Sequence, residues 1–113
     1  MATLNKLLVE SQKTAAANSP EVFYTSPTNG LGTIITNFTA GNDTALPVSY
    51  KAYIVPALGS PTVPLIPTRN IVENRTDVAA EPAGQLIPAG GTLQMETSSA
   101  ATIAFTVSGR ELS

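Results

Sequence analysis

From Glu21 onward the chain is a succession of short segments in which apolar and polar residues alternate, each closed by Pro, Gly or Asn. Alternation with period 2 marks half-buried strands, because successive side chains leave opposite faces of an extended backbone. Glu21–Thr25 reads as a strand stopped by Ser26-Pro27-Thr28-Asn29-Gly30, strong turn chemistry. Residues 33–40 set Ile34, Thr36, Phe38 and Ala40 against Thr33, Ile35, Asn37 and Thr39, and Gly41-Asn42-Asp43 supplies the next turn. Val48–Val55 sets Val48, Tyr50, Ala52 and Ile54 against Ser49, Lys51 and Tyr53. Thr92–Thr97 points Leu93 and Met95 inward, and residues 102–108 do the same with Ile103, Phe105 and Val107. A further strand is expected over residues 69–74, and residues 85–87 lead into Pro88-Ala89-Gly90-Gly91. Pro56, Pro61, Pro64 and Pro67 exclude a central strand from residues 56–67, since Pro cannot donate to a ladder. That stretch is expected as an exposed loop with Val63, Leu65 and Ile66 at an edge, and residues 77–84 as a polar connection. The pattern predicts an all-β chain, an antiparallel β-sandwich or jelly roll of about six to eight short strands.

The first twenty residues differ in texture. Leu4, Leu7 and Leu8 fall at i, i+3 and i+4, one stripe of a helix, with Thr3 as N-cap and Asn18-Ser19-Pro20 as the stop. A helix of about ten residues is marginal alone, so its leucines need a surface to cover. Residues 1–20 are thus expected to form a short helix or extended arm ahead of a β domain at 21–113. Leu4, Leu7 and Leu8 are the candidate subunit interface.

Composition narrows the function. The 113 residues suffice for one domain, and the absence of Cys and His removes disulfides, thiolate metal sites, the commonest metal ligand and the usual general base. Six Lys and Arg against eight Asp and Glu give a net charge of −2, which disfavours a phosphate-binding surface and hence nucleic acid. Charged residues are only 12% of the chain, so 15 Thr and 9 Ser carry the solvent-facing role. A surface of that kind is readily buried against another subunit because few ions lose water. The longest apolar runs are far below the roughly 20 residues that span a bilayer, and no export segment is expected at the N-terminus.

No motif supplies chemistry. Asn37, Asn42 and Asn74 open N-glycosylation sequons, which without an export signal carry no weight. Asp43-Thr44-Ala45 is a poor match to the Asp-Thr-Gly of aspartic proteases, because Gly41-Asn42 before it reads as a hairpin tip. Glu73, Glu81 and Glu96 are expected as solvated charges rather than a glycosidase pair. Gly90-Gly91 lacks the Lys and helix of a phosphate loop. Phe23, Tyr24, Phe38, Tyr50 and Phe105 are expected in the core, with Tyr53 half exposed in a cross-strand pair. The residues thus point away from an enzyme and from any cofactor or metal.

Four stretches together resemble small structural proteins of tailed bacteriophages: Leu7-Leu8-Val9-Glu10-Ser11-Gln12-Lys13; Tyr24-Thr25-Ser26-Pro27 running into Gly32-Thr33-Ile34-Ile35; Ile87-Pro88-Ala89-Gly90-Gly91-Thr92-Leu93; and the ending Thr106-Val107-Ser108-Gly109-Arg110-Glu111-Leu112. The resemblance implies a β-sandwich accessory subunit of the virion, made in the host cytoplasm: a capsid decoration (cement) protein or a neck, collar or tail-attachment protein. Its partners would be major capsid, neck or tail proteins and further copies of itself, in a closed oligomer such as a trimer. The competing reading is a head- or tail-fibre binding module whose 56–67 loop recognises a host glycan or protein.

Overall fold

Nine strands and no helix make up the described residues of the computed structural model, which are 3–61, 64–79 and 82–112. In chain order they are β1 (Thr3–Gln12), β2 (Glu21–Thr25), β3 (Gly32–Asn42), β4 (Val48–Val55), β5 (Ile66–Ile71), β6 (Arg75–Val78), β7 (Leu86–Ile87), β8 (Thr92–Thr97) and β9 (Ile103–Leu112). They form two antiparallel sheets. One runs β1-β9-β3-β6, with β7 also paired to β3, and the other runs β2-β8-β4-β5. The sheets close over one core, and Phe105 of β9 is its aromatic hub, with Phe23, Phe38 and Tyr50 at ring distances of 5.4, 5.9 and 5.5 Å. The all-β sandwich is what the alternation predicted. β4 and β8 span the residues expected of them, and they pair with each other without a slip.

The N-terminal helix is corrected: residues 3–12 are an edge strand paired with β9 of the same sheet. Leu7 stands opposite Ser108 and Val9 opposite Val107, so Leu8 is an extra residue, a β-bulge. The bulge lets two consecutive residues face inward, with Val9 buried and Leu8 packed on the core. Leu7 and Leu8 therefore leave opposite faces of the sheet, and their helical spacing marks no common surface. The strand also gains ladder bonds along β9, whereas a helix of this length would hold together poorly alone.

A second bulge corrects the faces expected for residues 33–40. Ile35 stands opposite Gly109 and Asn37 opposite Ser108, leaving Thr36 as the extra residue. Alternation changes phase there, so Thr33 and Ile35 on one side of it and Phe38 and Ala40 on the other are all buried. At this crossing a Cβ on Gly109 would lie 2.4 Å from the Ile34 carbonyl oxygen, so only glycine fits.

Two boundaries moved. The strand expected at 69–74 is β5, which begins at Ile66 and carries Pro67 on an outer edge. The expected connection at 77–84 begins inside β6. Asn42, expected in a turn, ends β3 and is buried. Its Nδ2 donates to the carbonyls of Leu46, Ile71 and Val72 at 2.8, 3.1 and 3.4 Å, and its Oδ1 accepts from the Thr44 amide at 3.0 Å. One amide therefore holds both the 43–47 turn and the end of β5. Val63 and Glu81 lie outside the described residues.

Candidate interaction surfaces

The three leucines of the candidate interface part company. Leu8 packs on the core, Leu7 points to the outside of its sheet and is 47% exposed, and the Leu4 side chain lies outside the described part. The structure therefore gathers no leucine stripe. It builds exposed surface at two other places.

The first is the end of the sandwich where β2, β4 and β7 stop. Three loops meet there. The Ser26 amide donates to the Gly91 carbonyl at 2.9 Å, and the Gly90 amide donates to the Ser26 carbonyl at 3.1 Å. Gly90 has φ +75°, and a Cβ on it would sit 3.3 Å from Ala57 Cβ and 3.4 Å from Thr28 Cγ2. Residues 26–31, 56–61 and 88–91 carry no charge at all. In the Pro56-Ala57-Leu58-Gly59 turn, closed by a 2.9 Å bond from the Gly59 amide to the Pro56 carbonyl, Leu58 takes φ +61°. That conformation costs a branched side chain roughly 1–2 kcal/mol. Leu58 is nonetheless fully exposed, at 109%, and Leu31 at the same end is exposed as well. The sequence marked residues 56–67 as a loop, but burial is a tertiary property, so which of its leucines would stand in water was not readable there.

The second is the outer face of the β1-β9-β3-β6 sheet. Its outward residues fall in rows set by register: Ile34, Arg110 and Leu86; then Asn37, Ser108 and Leu7; then Thr39, Thr106 and Val78; then Gly41, Ala104 and Thr76. Several hydroxyls on this face bond within the sheet: Thr36 donates to the Ser108 carbonyl at 3.1 Å and Thr39 to that of Thr106 at 3.3 Å. Gly41 and Ala104 leave a cleft of about 300 Å³, bordered by Asn42, Asp43, Asn74, Arg75 and Thr76.

The polar side chains elsewhere are engaged with one another. All three tyrosines of the chain donate to carboxylates: Tyr24 to Glu111, Tyr50 to Asp77 at 2.6 Å, and Tyr53 to Glu96. Asp77 also accepts from Arg69 at 3.2 Å and ties β6 to the opposite sheet. Loss of hydration, reinforced by the acidic partner, pushes Tyr24 and Tyr53 up to about 12 and raises Tyr50 further. The hydrogen bond from Tyr24 lowers Glu111, with Lys6 at 3.3 Å adding to it. Tyr53, expected half exposed, is buried. Asp43 is a solvated tip residue paired with Lys13 at 3.2 Å. Among the described residues no three acidic side chains are grouped to hold a metal ion. Asn42 of the second sequon is buried with its amide bonded, which leaves it closed to modification.

No protein family, curated protein or solved structure matches this chain.

Proposed function

We propose that this chain is a non-enzymatic structural subunit of a tailed-bacteriophage particle, a capsid decoration, neck, collar or tail accessory protein that works through protein contacts. The observation that carries the reading is the uncharged loop end presenting Leu58. A leucine held in water in a strained backbone conformation raises the energy of the free chain, and a neighbour that covers it returns roughly 1.5–3 kcal/mol. A surface without charge also docks without stripping water from ions. The phage assignment itself rests on the four resembling stretches. The fibre-module alternative is less well supported. Residues 56–67 carry no aromatic side chain on which a sugar could stack, and Tyr50 and Tyr53 are buried with their hydroxyls bonded.

Mass spectrometry of gradient-purified particles tests the proposal. The chain should be present in fixed stoichiometry, and Leu58→Asp should lower its incorporation at least tenfold while leaving its melting temperature unchanged. Particles lacking the chain would overturn the reading, as would reproducible binding to defined sugars on a glycan array without incorporation.

A further inference from the structure

We infer that a second copy of this chain docks face to face on the outer side of the β1-β9-β3-β6 sheet, with Leu86 of each copy entering the Gly41–Ala104 cleft of the other. The inference rests on the reading of the chain as an assembly subunit and names one of its contacts.

Four observations lead to it. The sheet edges are poor templates for strand addition: β1 is bulged twice, β2 once, β5 carries Pro67, β6 is four residues long with Asp77 turned toward Tyr50, and β7 is two residues long. Association is therefore left to faces and ends. Size separates these. The molecule measures 46 × 25 × 21 Å, so a broad side offers on the order of 1,000 Å² in projection and an end about half that. A stable dimer needs about 800 Å² per partner, which only a broad side supplies.

Charge separates the two broad sides. The outward face of the other sheet carries Lys51 opposite Glu96, whereas here the paired residues of the rows of Ser108, Thr106 and Ala104 are uncharged, Arg110 stands in the row of Leu86, and the exposed Glu10 lies on β1 beside the row of Thr106. Uncharged rows through the middle of the face can meet their own copy without placing like charges together. The hydroxyls of Thr36 and Thr39 already donate within the sheet, so covering them leaves those donors satisfied.

Shape then sets the axis. Leu86, 48% exposed, stands in the first of the four rows, and the cleft floored by Gly41 and Ala104 stands in the fourth. Rows are about 6.8 Å apart, so knob and hole are about 20 Å apart in one copy. A two-fold axis lying across the strands, midway between the rows of Ser108 and Thr106, exchanges first with fourth and second with third. It places Leu86 of each copy over Thr76 and the cleft of the other, twice in one closed interface.

A covalent test reads this register. The chain has no Cys, so the double variant Leu86→Cys, Thr76→Cys places two thiols too far apart to join within one copy, the limit being about 7 Å between Cα atoms. Under mild oxidation it should run as a covalent dimer, and neither single variant should. In sedimentation equilibrium the native chain should dimerise. Gly41→Val should weaken that at least tenfold by filling the cleft. It should still fold, because a Cβ there meets nothing closer than Thr76 Oγ1 at 3.5 Å. Gln94→Arg on the other sheet should change nothing. A native chain monomeric at every concentration overturns the inference, and so does a dimer indifferent to Gly41→Val that fails to cross-link. A monomer found in particles refutes the self-docking and leaves the assembly reading standing, and a dimer absent from particles does the reverse.

Discussion

Val9 and Leu7 are two residues apart, and the edge-strand structure assigns them opposite importance. Val9 is 1% exposed on the core side, opposite Val107, whereas Leu7 is 47% exposed on the outer face, opposite Ser108. Burying a Val side chain is worth about 1.5–3 kcal/mol. Truncation to Ala forfeits much of that and leaves a small cavity, so Val9→Ala should cost about 1.5–2.5 kcal/mol. At roughly 4–6 °C per kcal/mol for a chain of this size, the melting temperature should fall by about 6–15 °C. Leu7→Ala removes a side chain already half in water and should shift it by no more than a few degrees. Deleting residues 2–12 strips a whole strand from β9 and should lower the midpoint well beyond either substitution. Melts followed by circular dichroism at one low protein concentration compare the three, since any dimer would make the midpoint depend on concentration. If residues 3–12 were a detached helical arm, the deletion would melt like the native chain and Val9→Ala would be silent. That outcome would refute the strand and everything built on its register.

Two further outcomes follow from buried polar groups. Tyr24 and Tyr53 keep their protons up to about pH 12 in the folded chain and lose them near 10 when unfolded, and Tyr50 shifts the same way. The folded state therefore holds more protons between those values, so the tyrosine contribution to stability should be constant below about pH 10 and fall as pH rises from about 10 to about 12. Urea midpoints measured across that range check it, and a flat profile would contradict the buried tyrosine–carboxylate pairs. Asn42→Ala leaves the carbonyls of Leu46 and Ile71 without their amide donor and should cost about 2–3 kcal/mol by urea denaturation. A loss below about 0.5 kcal/mol would show that water replaces the amide.

The fold was legible in the sequence wherever pairing is regular. Thr92–Thr97 alternates from end to end and Val48–Val55 does so as far as Ala52, because the two pair in unbroken register and local pattern and tertiary face agree; beyond Ala52, Tyr53 and Val55 are buried as well. Legibility failed at the bulges. Leu8 and Thr36 each add one residue to a strand and invert the phase of everything beyond, and neither residue type announces this. β6 was hidden for a different reason. Arg75-Thr76-Asp77-Val78 has no apolar alternation, because its inward residue is Asp77, paired with Tyr50 and Arg69 rather than packed in hydrocarbon.

The candidate surfaces follow the same division. That residues 56–60 are exposed was readable from the prolines around them, which bar the stretch from a central ladder, whereas Ile66, expected at an exposed edge, starts β5 fully buried and Leu65 packs on the core. That Leu58 stands in water depends on how the 56–59 turn lies beside Gly90, a meeting of segments more than thirty residues apart. Leu86 lies in a strand of only two residues, whose outward direction is fixed by Ile34 across the ladder. Nothing in residue type separates Leu86 from its neighbour Ile87, which is fully buried. Period 2 allows only one of two consecutive strand residues to face inward, and the neighbouring strand decides which. Where both are apolar, as at Leu86 and Ile87, one must be shown to solvent or to a partner. The cost of that exposure is what gives a second copy something to relieve.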